Sequence, residues 1–183
     1  MRKLLTIVLL LCAHQLWGQC GTERWSVKTG TDVDAAIVDA ATSTETTIAA
    51  MRGLPKTRPL PKGHRVAPTE TTVWTVTATL TDYKLETDSD YHIVLADASG
   101  NTMIAEIPAP SCVKAGSPFA SAIASSRAEF DRHLTATSEF KTANVQVRVT
   151  GVGFLDFIHG QHGVAPNGIE LHPVLEIVFV EAP

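Results

Sequence analysis

The sequence predicts a small, mainly β domain with one helix inserted between its third and fourth strands. Apolar and polar residues alternate with period two in segments from Val73 onward, which is the pattern of strands with one buried face. Before the fourth strand, Phe119, Ile123, Phe130 and Leu134 recur at helical spacing and form a single apolar stripe. The chain has 183 residues, enough for one domain with a modest core.

Three strands precede the helix, and we expect them over residues 73–81, 91–96 and 102–107. Between the last two, residues 97–101 read DASGN and have the composition of a turn. If Ala96 faces Thr102 across this turn, apolar residues pair with one another along one face. The same register places His92 directly opposite Glu106 on the other face.

The helix and the last two strands follow in order. Ser117 is a good N-cap, and Pro118 suits the first helical position. Two further strands are indicated by alternating apolar residues: Val145, Val147 and Val149 in the fourth, and Leu175, Ile177 and Phe179 in the fifth.

The N-terminus has the pattern of a cleavable signal peptide, which we expect over residues 1–19. Arg2 and Lys3 precede an apolar run over residues 4–13, and Gly18 offers a small residue for cleavage. The run is shorter than the ~20 residues that a membrane span requires, and no other segment approaches that length. The expectation is therefore an exported protein, periplasmic or extracellular, whose mature form has no membrane span.

Export changes the charge and the cysteine count. Losing Arg2 and Lys3 takes the formal net charge from −4 to −6. Cys12 is lost as well, which leaves Cys20 and Cys112 as one pair for a disulfide in an oxidising compartment. Lipidation of Cys20 is the alternative, but bulky Trp17 and Gln19 fit a lipidation signal badly.

Residues 20–69 are predicted to form an N-terminal extension. Asp32 is placed to cap a weak helix over the alanines that follow it, and a second short helix is expected from Thr47 to Arg52. Residues 53–68 contain four prolines, which favour an extended path. Basic residues in or beside this arm are Arg52, Lys56, Arg58, Lys62 and Arg65. Such an arm either holds phosphates or lies across the acidic surface of its own domain, and the net charge favours the second role.

The element order is similar to that of the OB-fold, a five-stranded Greek-key barrel with a helix between strands three and four. This resemblance covers residues 70–183, and a β-sandwich with an inserted helix is the competing architecture. It implies a ligand-binding face on strands two and three, bounded by the loops that join strands one to two and four to five.

Those two loops and the strands beside them carry the candidate binding or metal-site residues: Asp88, Asp90, His92, Glu106, Asp156, His159, His162, Glu170 and His172. Histidine and carboxylate groups are the usual ligands of zinc and similar ions, and histidine also transfers protons near neutral pH. A divalent metal is therefore the cofactor that this set would suit. The competing interpretation is that these side chains only cap turns and bond backbone groups.

Two functions are consistent with this pattern. The favoured one is a binding domain for a carbohydrate, a peptide or an envelope protein, with Tyr83, Phe154 and Phe157 as candidate stacking surfaces. Nucleic acid is disfavoured as a partner, because the mature chain is acidic. The alternative function is a metal-dependent hydrolase that uses the loop histidines and carboxylates.

Several stretches resemble a group of small exported bacterial proteins of uncharacterised function. The stretches are DSDYHIVLAD, GNTMIAEIPAPSC, GVAPNGIELHPVL and, near the start, CGTERWSVKTGTD. This resemblance implies no catalytic assignment. The element order is also similar to that of staphylococcal-type thermonucleases, but Arg148 is the one arginine expected in a barrel strand, where that activity needs two on the phosphate. Nuclease activity is therefore not expected.

Overall fold

A computed structural model describes residues 19–180, so the predicted signal peptide lies almost entirely outside the described residues. Within that range the chain is mainly β. Its strands are β1 (Thr44–Thr46), β2 (Val73–Leu85), β3 (Tyr91–Ala96), β4 (Thr102–Ile107), β5 (Lys141–Leu155) and β6 (Ile169–Phe179). Its α-helices are α1 (Trp25–Thr29), α2 (Ile48–Arg52) and α3 (Ala120–His133). None of these helices has the length and apolar character to cross a membrane.

The strands form one mixed six-stranded sheet in the order β1, β2, β3, β4, β6, β5. A second pairing joins β5 back to β2, so the sheet curls round in a barrel-like, OB-like arrangement. The mainly β prediction is confirmed, with α3 between β4 and β5 as expected. The strand count differs from the predicted five, because Thr44–Thr46 of the N-terminal extension pairs in parallel with Trp74–Val76.

The β3–β4 hairpin has the predicted register. Ala96 pairs with Thr102, and His92 pairs with Glu106. The first barrel strand is longer than predicted, because β2 continues past an irregularity near Leu80 as far as Leu85. The loop between β2 and β3 is correspondingly shorter than the sequence suggested.

Helix α3 begins two residues later than the N-cap pattern indicated. Ser117 Oγ accepts a hydrogen bond from the Phe119 backbone N–H at 3.1 Å and donates to the Thr29 carbonyl at 2.7 Å. Ser117 therefore caps the turn that leads into the helix and ties it to the N-terminal segment. The apolar stripe is buried as predicted at Phe119, Ile123 and Phe130, which pack into the main core.

Of the two helices predicted in the N-terminal extension, one is present and the other is much shorter than expected. Thr47 caps α2, accepting a hydrogen bond from the Ala50 N–H at 3.1 Å. The helix expected after Asp32 is only a short turn at Ala35–Ile37. The Asp32 carboxylate accepts a hydrogen bond from the Asp34 N–H at 3.1 Å and also pairs with Arg65 at 2.7 Å, with both the Asp32 and Arg65 side chains fully buried. Helix α1, five residues long, was not predicted.

The Pro-rich arm lies against its own domain. Arg58 donates to the Asp156 carbonyl at 2.7 Å, and Arg52 donates to the Thr102 carbonyl at 2.5 Å. Leu60 belongs to the main hydrophobic cluster, as do Ile48 and Met51 of α2. The extension and the barrel therefore share one continuous core.

The predicted disulfide is present. Cys20 and Cys112 are bonded, with their Cα atoms 5.5 Å apart. Cys112 ends a short turn at Pro110–Cys112 that follows β4. The bridge therefore fastens the start of the described chain beside the β3–β4 hairpin.

Candidate functional site

The candidate site lies on the outer face of β3, β4 and β6. Residues alternate across a strand, and Ile93, Ala105 and Leu171 point into the main core. Their neighbours His92 and Glu106 therefore point outward. This is the side of the hairpin that the sequence placed opposite the apolar face.

Strand pairing brings four polar residues to this face. The parallel pair β4–β6 sets Ile104 beside Glu170, so Glu106 lies level with His172 two residues further along. His92 faces Glu106 across the hairpin. Asp90 immediately precedes β3. All of these side chains are buried although they lie outside the barrel core, because other parts of the chain cover the face.

The cover is formed by the N-terminal segment and the β5–β6 loop. Between them and the barrel is a cavity of about 330 Å³. Its lining includes Trp25 and Lys28 of the N-terminal segment, Thr87 of the β2–β3 loop, and His159 of the β5–β6 loop. His92, Glu106, Asp156 and Glu170 also line it.

The buried side chains form a continuous chain of contacts. Glu106 Oε1 lies 3.2 Å from His92 Nδ1, and Glu106 Oε2 lies 2.9 Å from His172 Nδ1. His172 Nε2 lies 3.3 Å from Asp90 Oδ2. The far nitrogen of His92, Nε2, is 2.9 Å from the His162 carbonyl oxygen. Both His172 contacts are close in distance but are not aligned as hydrogen bonds.

Lys28 of α1 places a positively charged ammonium group beside the carboxylates of the site. Its Nζ lies 3.8 Å from Glu106 Oε2 and 5.4 Å from the centre of the Phe154 ring. Burial alone would lower the pKa of Lys28, but attraction from Glu106, Asp156 and Glu170 outweighs burial and raises that pKa. Lys28 is therefore charged at neutral pH and partly compensates the surrounding carboxylates.

The pKa values of the two buried glutamates of the site are shifted in opposite directions. Burial raises the pKa of Glu170 well above its ordinary value, and repulsion from Glu106 and Asp156 acts in the same direction. Burial also disfavours the charged form of Glu106, but contacts from His172 and His92 hold the pKa of Glu106 well below its ordinary value. Glu106 is thus the ionised carboxylate and Glu170 the one that favours its protonated form.

The remaining titratable groups respond to Glu106 and to burial. Burial lowers the pKa of His92, but Glu106 more than offsets this and the net pKa is raised. The pKa of His172 is likewise raised, since Asp90 and Glu106 outweigh burial and the charge of Lys28. Burial raises the pKa of Asp90, and contact with His172 offsets this only in part.

Several polar atoms in the cluster have no hydrogen-bond partner among residues 19–180. They are both carboxylate oxygens of Asp90, Oδ1 of Asp156, Oε2 of Glu170 and both ring nitrogens of His172. Buried polar atoms in native proteins are nearly always hydrogen-bonded, so each exception calls for an explanation. These atoms all lie in one cluster, so this part of the protein is the candidate functional site.

The structure brings together six of the nine candidate residues: Asp90, His92, Glu106, Asp156, Glu170 and His172. Asp88 and His159 line the cavity without joining the buried cluster. The exposed His162 side chain lies 3.4 Å from Asp82, and only its carbonyl reaches the cluster. Lys28 was missed, because it lies in a five-residue helix with no apolar periodicity to reveal which way it points.

The candidate stacking residues are not grouped. Tyr83 packs in the core against Phe130, with ring centres 5.5 Å apart. Phe154 is fully buried beneath Arg24 and Lys28. Phe157 is partly exposed and packs on Arg58. The described chain therefore offers no shared platform made of these three rings.

Comparison with known proteins yields no family. No protein-family model and no curated protein matches the chain. Among solved structures, an aspartyl-tRNA synthetase from Leishmania major Friedlin matches with a TM-score of 0.45 at 15% identity, over 80% of this chain and 23% of that one. An asparaginyl-tRNA synthetase from Entamoeba histolytica, in complex with asparaginyl-adenylate, matches with a TM-score of 0.42 at 14% identity, over 77% of this chain and 24% of that one. The chain thus spans about a quarter of the length of these proteins.

These matches correct one prediction. The acidic charge of the mature chain was taken to disfavour nucleic acid as a partner, whereas the similar structures are tRNA synthetases. That prediction is wrong, because net charge describes the whole surface and does not decide what one face binds. At TM-scores below 0.5 the matches do not themselves assign a ligand to this chain.

Proposed function

We propose that this protein is an exported OB-like binding domain whose ligand occupies the cavity on the outer face of β3, β4 and β6. The observation that carries the proposal is a set of buried polar atoms without hydrogen-bond partners in the described chain: Asp156 and Glu170 line the cavity, and Asp90 and His172 lie in the buried cluster that adjoins it. Burying polar groups without partners costs free energy, so a ligand that supplies hydrogen-bond donors or positive charge would stabilise them.

The fold supports this position for the site. The pairing order β2, β3, β4, β6, β5, closed by β5 on β2, corresponds to a five-stranded Greek-key barrel of OB type with β1 as an added edge. In such barrels the ligand face is formed by the second and third strands, here β3 and β4, and by two flanking loops. The cavity lies on those strands and touches both of the corresponding loops.

The size and chemistry of the cavity favour a small polar group. A volume of about 330 Å³ is at the lower end of ordinary ligand pockets. Carboxylates accept hydrogen bonds from hydroxyl and ammonium groups. The ligand we propose is therefore a sugar unit of a carbohydrate or a donor-rich side chain of a peptide.

An array of glycans, short peptides and oligonucleotides tests this proposal. Thr87 is exposed and lines the cavity, so Thr87→Trp should block entry and abolish binding. Thr77→Trp makes the same change at an exposed position of β2 outside the cavity lining and should leave binding intact. Binding that survives Thr87→Trp, or that is confined to oligonucleotides, would contradict the proposed site or ligand class.

Export is the second part of the proposal. It is supported by the sequence pattern of residues 1–19, and a Cys20–Cys112 bridge suits an oxidising compartment. Residues 1–19 fused to a reporter enzyme that is active only after export should give activity. Leu9→Arg, which interrupts the apolar run, should abolish it. A reporter that stays inactive with the native segment would contradict export.

A metal-dependent hydrolase is the second candidate function. The observation that favours it is the convergence of Asp90, Glu106 and His172 next to a cavity that could admit a substrate. Hydrolysis of chromogenic esters and phosphate esters should then require added metal and be lost in Glu106→Gln. Equal rates with and without metal would remove this candidate.

A further inference from the structure

We infer that Asp90, Glu106 and His172 bind a single divalent ion of the zinc or manganese type at the inner end of the proposed ligand cavity. The inference deepens the proposed binding function and takes from it the role of the cavity. It assigns three of the candidate side chains to one site and excludes the loop histidines His159 and His162.

Geometry is the first argument. Asp90, Glu106 and His172 each offer one ligand atom, and these atoms all lie within 4.8 Å of one another. Asp90 immediately precedes β3, Glu106 lies in β4 and His172 lies in β6. Strand pairing holds them in place, as a preorganised site requires.

The unpartnered atoms are a second and independent argument. Asp90 is fully buried, and neither of its carboxylate oxygens has a hydrogen-bond partner in the described chain. His172 is also fully buried, and neither ring nitrogen is aligned with a hydrogen-bonding group. A metal ion satisfies carboxylate oxygen and imidazole nitrogen together, because it accepts electron pairs from both.

The local charge also favours a bound cation, even though Glu170 favours its protonated form and adds little negative charge. Four buried carboxyl groups, those of Asp90, Glu106, Asp156 and Glu170, surround Lys28, the nearby ammonium. A dication would reduce this excess where it is greatest. Lys28 contacts Glu106 Oε2, the oxygen that also contacts His172, so ammonium and metal compete for one donor atom.

The donor set defines the class of metal. One imidazole nitrogen favours zinc, manganese or iron over magnesium and calcium, which prefer all-oxygen sites. Of the three donors only Glu106 lines the cavity, so the open side of the ion would face the ligand space. A ligand atom in the cavity could then complete the coordination.

The test is metal binding by the mature chain, purified without a histidine tag. Equilibrium dialysis with Zn²⁺ or Mn²⁺, followed by elemental analysis, should find about one ion per chain, and Mg²⁺ should not compete. Glu106→Gln and Asp90→Asn each remove one charged donor and should weaken binding at least ~10-fold. His159→Gln changes a cavity histidine outside the trio and should bind like the parent.

The Lys28→Met variant separates a metal site from a cluster that is only structural, because only a metal site predicts tighter metal binding. Removing the competing ammonium should tighten metal binding by at least ~10-fold, because a unit charge close to the site repels a dication in a medium of low effective dielectric constant. Near-UV circular dichroism verifies that each variant is folded. If Asp90→Asn fails to fold, Glu106→Gln and Lys28→Met still decide the matter, because they move affinity in opposite directions.

Three outcomes would overturn the inference. They are folded parent protein that binds no ion, equal loss of binding in His159→Gln and Glu106→Gln, or a Lys28→Met variant that binds more weakly. If no ion binds but the array signal is still blocked by Thr87→Trp, the metal site fails while the binding function stands. If an ion binds and the array is silent, the binding function fails and the metal site stands.

Discussion

A buried arginine organises the N-terminal segment. Arg24 forms a two-pronged ion pair with Glu70, at 2.6 Å from Nη1 and 2.8 Å from Nη2. Its remaining N–H groups donate to the carbonyls of Pro61, His64 and Leu155. One side chain therefore connects the start of the chain, the Pro-rich arm and the end of β5.

Arg24→Met should destabilise the protein strongly. It leaves the Glu70 carboxylate buried without its partner, and breaking a buried pair in this way costs about 3–5 kcal/mol. Arg148→Met is the matched control, because Arg148 pairs with Glu45 on the surface, where such pairs contribute about 0–1 kcal/mol. Urea unfolding measures both free energies. Similar losses for the two variants would show that Arg24 is not an anchor.

Some residues of the candidate site could be predicted from the sequence and others could not, for physical reasons. His92 and Glu106 could be paired in advance, because the apolar alternation of two strands and a short turn determine the register. The contribution of Lys28 depends on where α1 docks, which no periodicity in WSVKT encodes. His172, the second histidine of the cluster, lies within β6, whereas the loop histidines His159 and His162 stay near the surface.

At the scale of elements, the base of the β5–β6 loop holds the site together. The Asp156 N–H donates to the Gly168 carbonyl at 2.8 Å, closing the loop just beyond the strand ends. Gly168 has φ of +78°, and a Cβ there would lie 2.5 Å from the Asp156 carbonyl oxygen. That oxygen also accepts the Arg58 hydrogen bond, so loop and arm meet at this point.

Gly168→Ala should therefore lower the free energy of unfolding by more than the strain of an alanine in the left-handed conformation would by itself. Gly160 in the same loop has φ of +90° and open space around it, so Gly160→Ala isolates the strain, about 1–2 kcal/mol. Gly168→Ala adds a clash with backbone and should exceed that cost. It should also weaken ligand binding, because Asp156 and Glu170 flank the loop. Chemical denaturation and ligand titration measure both effects, and equal costs at the two positions would contradict this account.

The elements themselves were predictable to different degrees. The strands and α3 follow from long periodic segments, which is why their order was foreseen. The added strand β1 was not, because three residues in a Thr- and Ser-rich stretch carry no period, and only pairing with β2 makes them a strand. Asp32 makes a local hydrogen bond to the Asp34 N–H, but only the three-residue turn at Ala35–Ile37 follows it, and the same carboxylate is also paired with Arg65.

At the scale of the whole molecule, the N-terminal segment covers the outer face of β3, β4 and β6, where the proposed ligand cavity lies. Cys20 and Trp25 both line the cavity, and the Trp25 indole donates to the Cys112 carbonyl at 3.3 Å. The disulfide fastens this cover at its outer end, and the Arg24–Glu70 pair fastens it on the inner side. Access to the face is therefore coupled to how firmly the segment is held.

Removal of the disulfide should loosen the cover without dissolving the barrel. The bridge closes a loop with a sequence separation of 92 residues, so its loss should cost on the order of 4–5 kcal/mol in the chain-entropy model. In the mature Cys20→Ser/Cys112→Ser variant, hydrogen exchange should accelerate first at residues 20–29, because Arg24 still secures the inner end. Reducing agent should reproduce the effect in the parent chain and change nothing in the double variant, which has no thiols. A parent chain with two titratable free thiols, or hydrogen exchange at residues 20–29 that does not respond to the reductant, would contradict the role assigned to the bridge.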